Sequence, residues 1–247
     1  PTVPQIRMSR EDFKSLYDQI KDGKEEVQLE FEIHNYFTPG PVSYHNVIAD
    51  IPGSTYPDEL VIVGGHIDSW DGATGTLDNG TGVATTLEVA RLLMESGVQP
   101  KRTIRFMLWS GEEQGLLGSR AYIKKHEDLL EKISGVFVHD GGTNYVSGIA
   151  ATAAMQADLE EVFAPIMNLS PDRPFTVRSV RGLPLGIGSD HDSFLRKDVP
   201  GFFWDQKGTS NYNFSHHTQH DYFNQAIDEY QRHSSVVIAI GALGVAN

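Results

Sequence analysis

The chain has 247 residues and a mass of 27.3 kDa; 39% hydrophobic and 10% aromatic residues suffice for one large α/β domain with its own core and exclude disorder of the body. With no cysteine there is no disulfide framework, thiolate zinc site, iron–sulfur cluster or cysteine nucleophile. Asp and Glu (33) outnumber Lys and Arg (20), a formal charge of −13 with no basic cluster, which excludes the usual signature of nucleic-acid or anionic-membrane binding.

In chain order, Ser9 followed by Glu11 and Asp12 starts a helix carried by Phe13, Leu16, Tyr17 and Ile20 and closed by Gly23. Val27 to Phe37 alternates apolar and polar residues as a strand does. Pro39-Gly40-Pro41 is a turn and Val42 to Ile51 a second strand, so the two are expected to form an antiparallel hairpin. The texture then changes to short apolar runs: Leu60–Val63, Ile104–Trp109, Val136–Val138 and Phe202–Trp204. Helical stretches lie between and after them, at Gly82–Met94, Leu116–His126, Leu159–Leu169 and Ala226–Leu243. Apolar strands alternating with helices predict a three-layer α/β/α sandwich on a mixed, mainly parallel sheet. Tyr145–Met155, Gly182–Asp192 and Gln206–Phe214 read as loops. No apolar run approaches the ~18 residues of a membrane span. The first residue is Pro1, and no signal-peptide pattern follows it, so the chain is expected to be a piece of a longer protein.

Each apolar run ends in ligand-type residues. Leu60–Val63 leads through Gly64-Gly65 to His66-Ile67-Asp68, Ile104–Trp109 to Ser110-Gly111-Glu112-Glu113, and Val136–Val138 to His139-Asp140. Asp78-Asn79-Gly80 precedes a helix, and His216-His217-Thr218-Gln219-His220-Asp221 precedes the last one. Singly, each has a plain structural explanation: Asp78 as a helix cap, His66 as a satisfied loop histidine, Glu112-Glu113 as a solvated pair. Jointly they occupy the carboxyl ends of parallel strands, where open α/β sheets form their sites. Oxygen and imidazole ligands suit catalytic zinc, manganese or cobalt. Asp68 is placed to orient the second nitrogen of His66. No G-x-S-x-G elbow, Walker-type phosphate loop or H-E-x-x-H helix occurs.

Gly64-Gly65-His66-Ile67-Asp68-Ser69-Trp70-Asp71, Leu77–Gly82, Trp109–Gly115, His139–Gly142 and His216-His217-Thr218 together resemble the motifs of the two-zinc aminopeptidase family, closest to its carboxypeptidase Q branch. The resemblance runs from about Val42 to the C-terminus. It implies two zinc ions bridged by Asp78, one completed by His66 and Asp140 and the other by Glu113 and His217, with Glu112 as general base to a metal-bound hydroxide. The family often has a tyrosine before the last ligand as oxyanion donor; His216 stands there, and that role passes to it. The implied function is zinc-dependent hydrolysis of a peptide bond near a chain terminus, with a peptide or dipeptide substrate and an extracellular or periplasmic location. A one-zinc glutaminyl-cyclase-like cyclotransferase and a non-catalytic receptor on the same fold are the alternatives. Residues 1–247 then form one catalytic domain, of which 1–37 resemble the end of a protease-associated insertion and its return strand. Asn79-Gly80-Thr81, Asn168-Leu169-Ser170 and Asn213-Phe214-Ser215 are glycosylation-type triplets, but a glycan on Asn79 would sit beside the bridging ligand and is not expected.

Overall fold

The structure, a computed structural model, describes all residues except 1–5, 7, 24, 25, 35, 37, 38 and 168. It divides into two compact units, residues 1–42 and 43–247. In the first, helix α1 (Arg10–Ile20) begins as expected: the Ser9 hydroxyl accepts from the Asp12 backbone N–H at 3.0 Å, and Gly23 takes a left-handed φ of 62° just past the helix. The strand expected over Val27–Phe37 is not formed where the chain is described; Val27 to His34 is irregular, and Leu29, Phe31 and Ile33 are exposed. Phe37 and Asn168 lie outside the described residues. Alternation marks a face but supplies no partner, and a strand without a ladder is unstable.

The second unit is built on a five-stranded sheet. Its strands are β1 (Val47–Ile51), β2 (Tyr56–His66), β3 (Arg102–Trp109), β4 (Ile133–Val138) and, later in the chain, β7 (Gly201–Phe203), in the order β1-β3-β2-β4-β7. β2, β3, β4 and β7 are mutually parallel, while β1 runs antiparallel to β3. The partner of β1 is thus β3, where a hairpin with Val27–Phe37 was expected. Successive residues point to opposite faces, and here both faces are buried, which is why the runs are apolar throughout. Val61, Val63, Ile104, Phe106 and Phe137 pack on one side with Val89 and Leu93 of α2 (Thr81–Glu95), Phe163 of α4 (Gln156–Met167) and Val237 and Ile238 of α6 (Asp228–Ala246). Leu60, Ile62, Met107, Trp109 and Val136 pack on the other with Tyr122 and Ile123 of α3 (Leu117–Lys125) and Phe194 of α5 (His191–Leu195). This is the predicted three-layer arrangement.

A second sheet joins β5 (Tyr145–Thr152) to β6 (Thr176–Val180) in parallel and to β8 (Asp205–Lys207) in antiparallel sense. Two of the segments read as loops therefore contain strands, and the end of a third begins α5. Tyr145–Thr152 hides its strand character behind Ser147, Gly148, Ala150 and Ala151, residues too small to give a strong alternating signal.

Candidate metal centre

The parallel strands deliver their carboxyl ends to one edge of the sheet. Gly64 is level with Met107 of β3 and with Val138 of β4, so two residues on His66 is level with Trp109 and reaches Asp140. Of the glycine pair before His66, Gly64 makes room for the Trp109 ring and Gly65 lets α2 approach. A Cβ on Gly65 would lie 2.9 Å from the His139 carbonyl oxygen, and one on Gly82 would lie 2.3 Å from that oxygen and from Asn79 Oδ1. Asn79 is 1% exposed; it donates to the His139 carbonyl at 2.9 Å and accepts from the Gly82 N–H at 3.0 Å. Asn79 therefore does the capping, and Asp78 does not; a buried, committed Asn79 amide also leaves no place for a glycan.

The Asp78 carboxylate instead faces two ways. Its Oδ1 is 3.1 Å from His66 Nε2, and its Oδ2 is 3.3 Å from His217 Nε2. His66 Nε2 also lies 3.4 Å from Asp140 Oδ1, while His66 Nδ1 donates to the Asp68 backbone carbonyl at 2.9 Å. That bond leaves Nε2 to offer its lone pair to the site. His217 Nε2 is 2.9 Å from Glu113 Oε2, which also accepts from the Trp70 indole N–H at 2.5 Å. Three sets of donor atoms lie mutually within 4.8 Å: His66, Asp78 and Asp140; Asp78, His216 and His217; and His66, Glu112 and Glu113. Every expected site residue is therefore brought to one place, although His66 is close to both glutamates. They are separated by what they face: Glu112 and His216 line a cavity of about 440 Å³ that Glu113 does not.

Electrostatics matches a site for cations. Burial alone would lower the His66 pKa, but Asp140, Asp68 and Asp78 outweigh it and raise it. Burial pushes Glu112 up to about 9; Asp140, Asp190 and Glu113 add to the rise and His66 opposes it. Burial and then Asp78 push Glu113 up to about 8. Asp78 Oδ2 and Glu113 Oε1 are buried without a hydrogen-bond partner. Crowded carboxylates with orphaned oxygens, beside imidazole nitrogens and with no thiolate, fit zinc.

Asp68 orients His66 as expected, through its backbone carbonyl, and its carboxylate has a second task. Its carboxylate, 3.6 Å from His66 Nδ1, accepts the backbone N–H groups of Glu112 (3.1 Å) and Glu113 (3.2 Å), so it shapes the glutamate turn while its carbonyl orients His66. Tyr212, which sequence reasoning passed over, lines the cavity, and its hydroxyl pKa is raised by burial and then by Asp140 and Asp78. Its only sequence signal is an aromatic residue five positions before His217.

The sequence profile of peptidase family M28 matches residues 46–241. The chain is 34% identical over 224 residues to carboxypeptidase Q of Xenopus laevis (90% of this chain, 45% of that protein) and 32% identical over 248 residues to that of Mus musculus (100% and 51%). The chain thus spans about half the length of these relatives. Among solved structures, a peptidase M28 precursor from Shewanella amazonensis superposes with a TM-score of 0.71 at 31% identity, covering 82% of this chain and 44% of that one. A zinc aminopeptidase from Bacillus subtilis shares the fold with a TM-score of 0.62 at 22% identity, covering 79% of this chain and 48% of that one.

Proposed function

The chain belongs to peptidase family M28, and from that premise we propose that it is a zinc-dependent exopeptidase that releases the N-terminal residue of a peptide or splits a dipeptide. The observation that carries the reading is the two-way Asp78 carboxylate, with His66 on one oxygen and His217 on the other. Asp78 would bridge two zinc ions, His66 and Asp140 would complete one, and Glu113 and His217 the other. Bound there, zinc supplies Lewis acidity toward the scissile carbonyl and the attacking water. Glu112, facing the cavity, takes the proton of that water and hands it to the leaving amine. His216 lines the same cavity and donates to the carbonyl oxygen as it gains charge.

The cavity suits a short peptide end in volume, and its lining includes Asp78, Glu112, Asp140 and Asp205 but no Lys or Arg. With no Lys or Arg among the described lining residues to pair a terminal carboxylate, the cavity favours the amino end of the substrate. The approach of His217 Nε2 to both Glu113 Oε2 (2.9 Å) and Asp78 Oδ2 (3.3 Å) supports a two-zinc peptidase over a one-zinc cyclotransferase. An extracellular or periplasmic location belongs to the same reading; among the described residues no helix is long and apolar enough to cross a membrane. Zinc titration of chelator-treated protein tests it: two equivalents should bind per chain and restore hydrolysis of a free peptide, and Asp78→Asn should lose both. Saturation at one equivalent, unaltered by Asp78→Asn, would overturn the two-zinc assignment.

A further inference from the structure

Asp221 lies four residues beyond His217 and is 4% exposed. His217 has a left-handed φ of 57°, and the turn after it is closed by the Thr218 N–H to the Ser215 carbonyl (3.0 Å), the His220 N–H to Thr218 Oγ1 (3.2 Å) and the Asp221 N–H to the Thr218 carbonyl (3.4 Å). From the end of this turn, Asp221 reaches the other ligand loop. Its Oδ1 accepts from the Leu77 backbone N–H at 2.6 Å and its Oδ2 from the Asp78 backbone N–H at 2.9 Å. Its backbone carbonyl accepts from the N–H and the hydroxyl of Thr74, both at 3.0 Å. With both carboxylate oxygens held by N–H donors, Asp221 is an anchor and belongs to none of the cation-holding sets. Charge-assisted bonds of this kind, two in parallel, fix orientation as well as distance.

We propose that Asp221 is a positioning residue for metal binding, holding the Asp78 backbone from the loop that carries His217 so that the two halves of the centre assemble as one unit. The inference rests on the reading of Asp78 and His217 as metal ligands, and it holds for one bound ion or two. A tie of purely structural importance would stabilise the fold without setting metal affinity. The two are separated by comparing Asp221→Asn with Thr74→Val in the full chain. Asn keeps the shape but has one acceptor oxygen and sets an amide N–H against a backbone N–H. Val removes a bond from the same loop to the Asp221 carbonyl and leaves the carboxylate alone.

Three readouts are needed: thermal unfolding of the metal-free protein, zinc affinity by chelator competition, and the visible spectrum of the cobalt-substituted protein. Asp221→Asn should weaken zinc binding about 10–100-fold, as loss of a ligand-orienting partner does, and should change the cobalt spectrum. Thr74→Val should lower the melting temperature with zinc affinity and spectrum unchanged. Should Asp221→Asn not fold, Asp221→Glu keeps the charge and both acceptors one methylene away, and the cobalt spectrum should still shift. Wild-type affinity and spectrum in the folded Asp221 variant, or an equal loss of zinc in Thr74→Val, overturn the proposal. A wild-type protein that binds neither zinc nor cobalt overturns the proposed function as well, whereas a wild type that binds metal beside an unaffected Asp221 variant overturns this inference alone.

Discussion

Glu112 and Glu113 are neighbours in sequence with opposite surroundings. The Glu113 side chain is 2% exposed and its Oε2 meets Trp70 and His217; Glu112 opens onto the cavity. If Glu112 is the base and Glu113 a ligand, Glu112→Gln should keep zinc and lose about 10²–10⁴-fold in hydrolysis rate, roughly 3–5 kcal/mol of barrier. Glu113→Gln should instead release zinc from one half of the site. Zinc content and rate, measured on both variants, decide it: zinc lost from Glu112→Gln but not from Glu113→Gln would mean the roles are exchanged. Residue types at strand ends were enough to find these side chains. What they do to one another was not legible, because it depends on backbone direction. Asp68 shows this: it orients His66 as expected, but through its own carbonyl, while its carboxylate turns to the Glu112 and Glu113 N–H groups.

At the level of elements, the parallel core was legible because strands buried on both faces must be apolar throughout, and helices with one apolar stripe must cover them. Where burial is one-sided or residues are small, the pattern misled: Val27–His34 alternates without a partner, and Tyr145–Thr152 pairs without alternating. The glycines were visible but their reason was not. Gly82 stands in the first turn of α2, where helix propensity alone says that alanine should stabilise by about 0.5–1 kcal/mol. The contact argument gives the opposite sign, since the added Cβ would lie 2.3 Å from the His139 carbonyl oxygen and from Asn79 Oδ1. Neither can retreat without losing the bond that Asn79 makes to the His139 carbonyl. Gly82→Ala should therefore destabilise by about 1–3 kcal/mol, the usual cost of overpacking, and weaken zinc binding as α2 carries Asp78 away. Denaturant unfolding with and without zinc measures both; a stabilised variant with intact zinc affinity would show that α2 docks more loosely than this geometry requires.

For the whole molecule, the polarity of the substrate is the open chemical question. Relatives named carboxypeptidase Q stand beside a structural neighbour described as a zinc aminopeptidase, and the chain spans about half of each. The chain's own surface offers an answer. A charge of −13 gives an acidic background, and the described lining of the cavity beside the centre contains no Lys or Arg. Arg178 stands near, but its guanidinium is paired with the Asp205 carboxylate at 2.9 and 3.1 Å. Among the described residues of the cavity wall, a substrate carboxylate would thus find no Lys or Arg left to pair with it, which favours the amino end of the substrate. Acetylating the amino end of a short peptide should lower kcat/KM about 10–100-fold, the worth of a hydrogen bond to a charged group. Amidating the carboxyl end should leave the rate nearly unchanged. The four peptides, free, acetylated, amidated and blocked at both ends, give the test with products identified by mass. Sensitivity to amidation with indifference to acetylation would reverse the polarity to that of a carboxypeptidase, and efficient cleavage of the doubly blocked peptide would remove the terminus from the mechanism altogether.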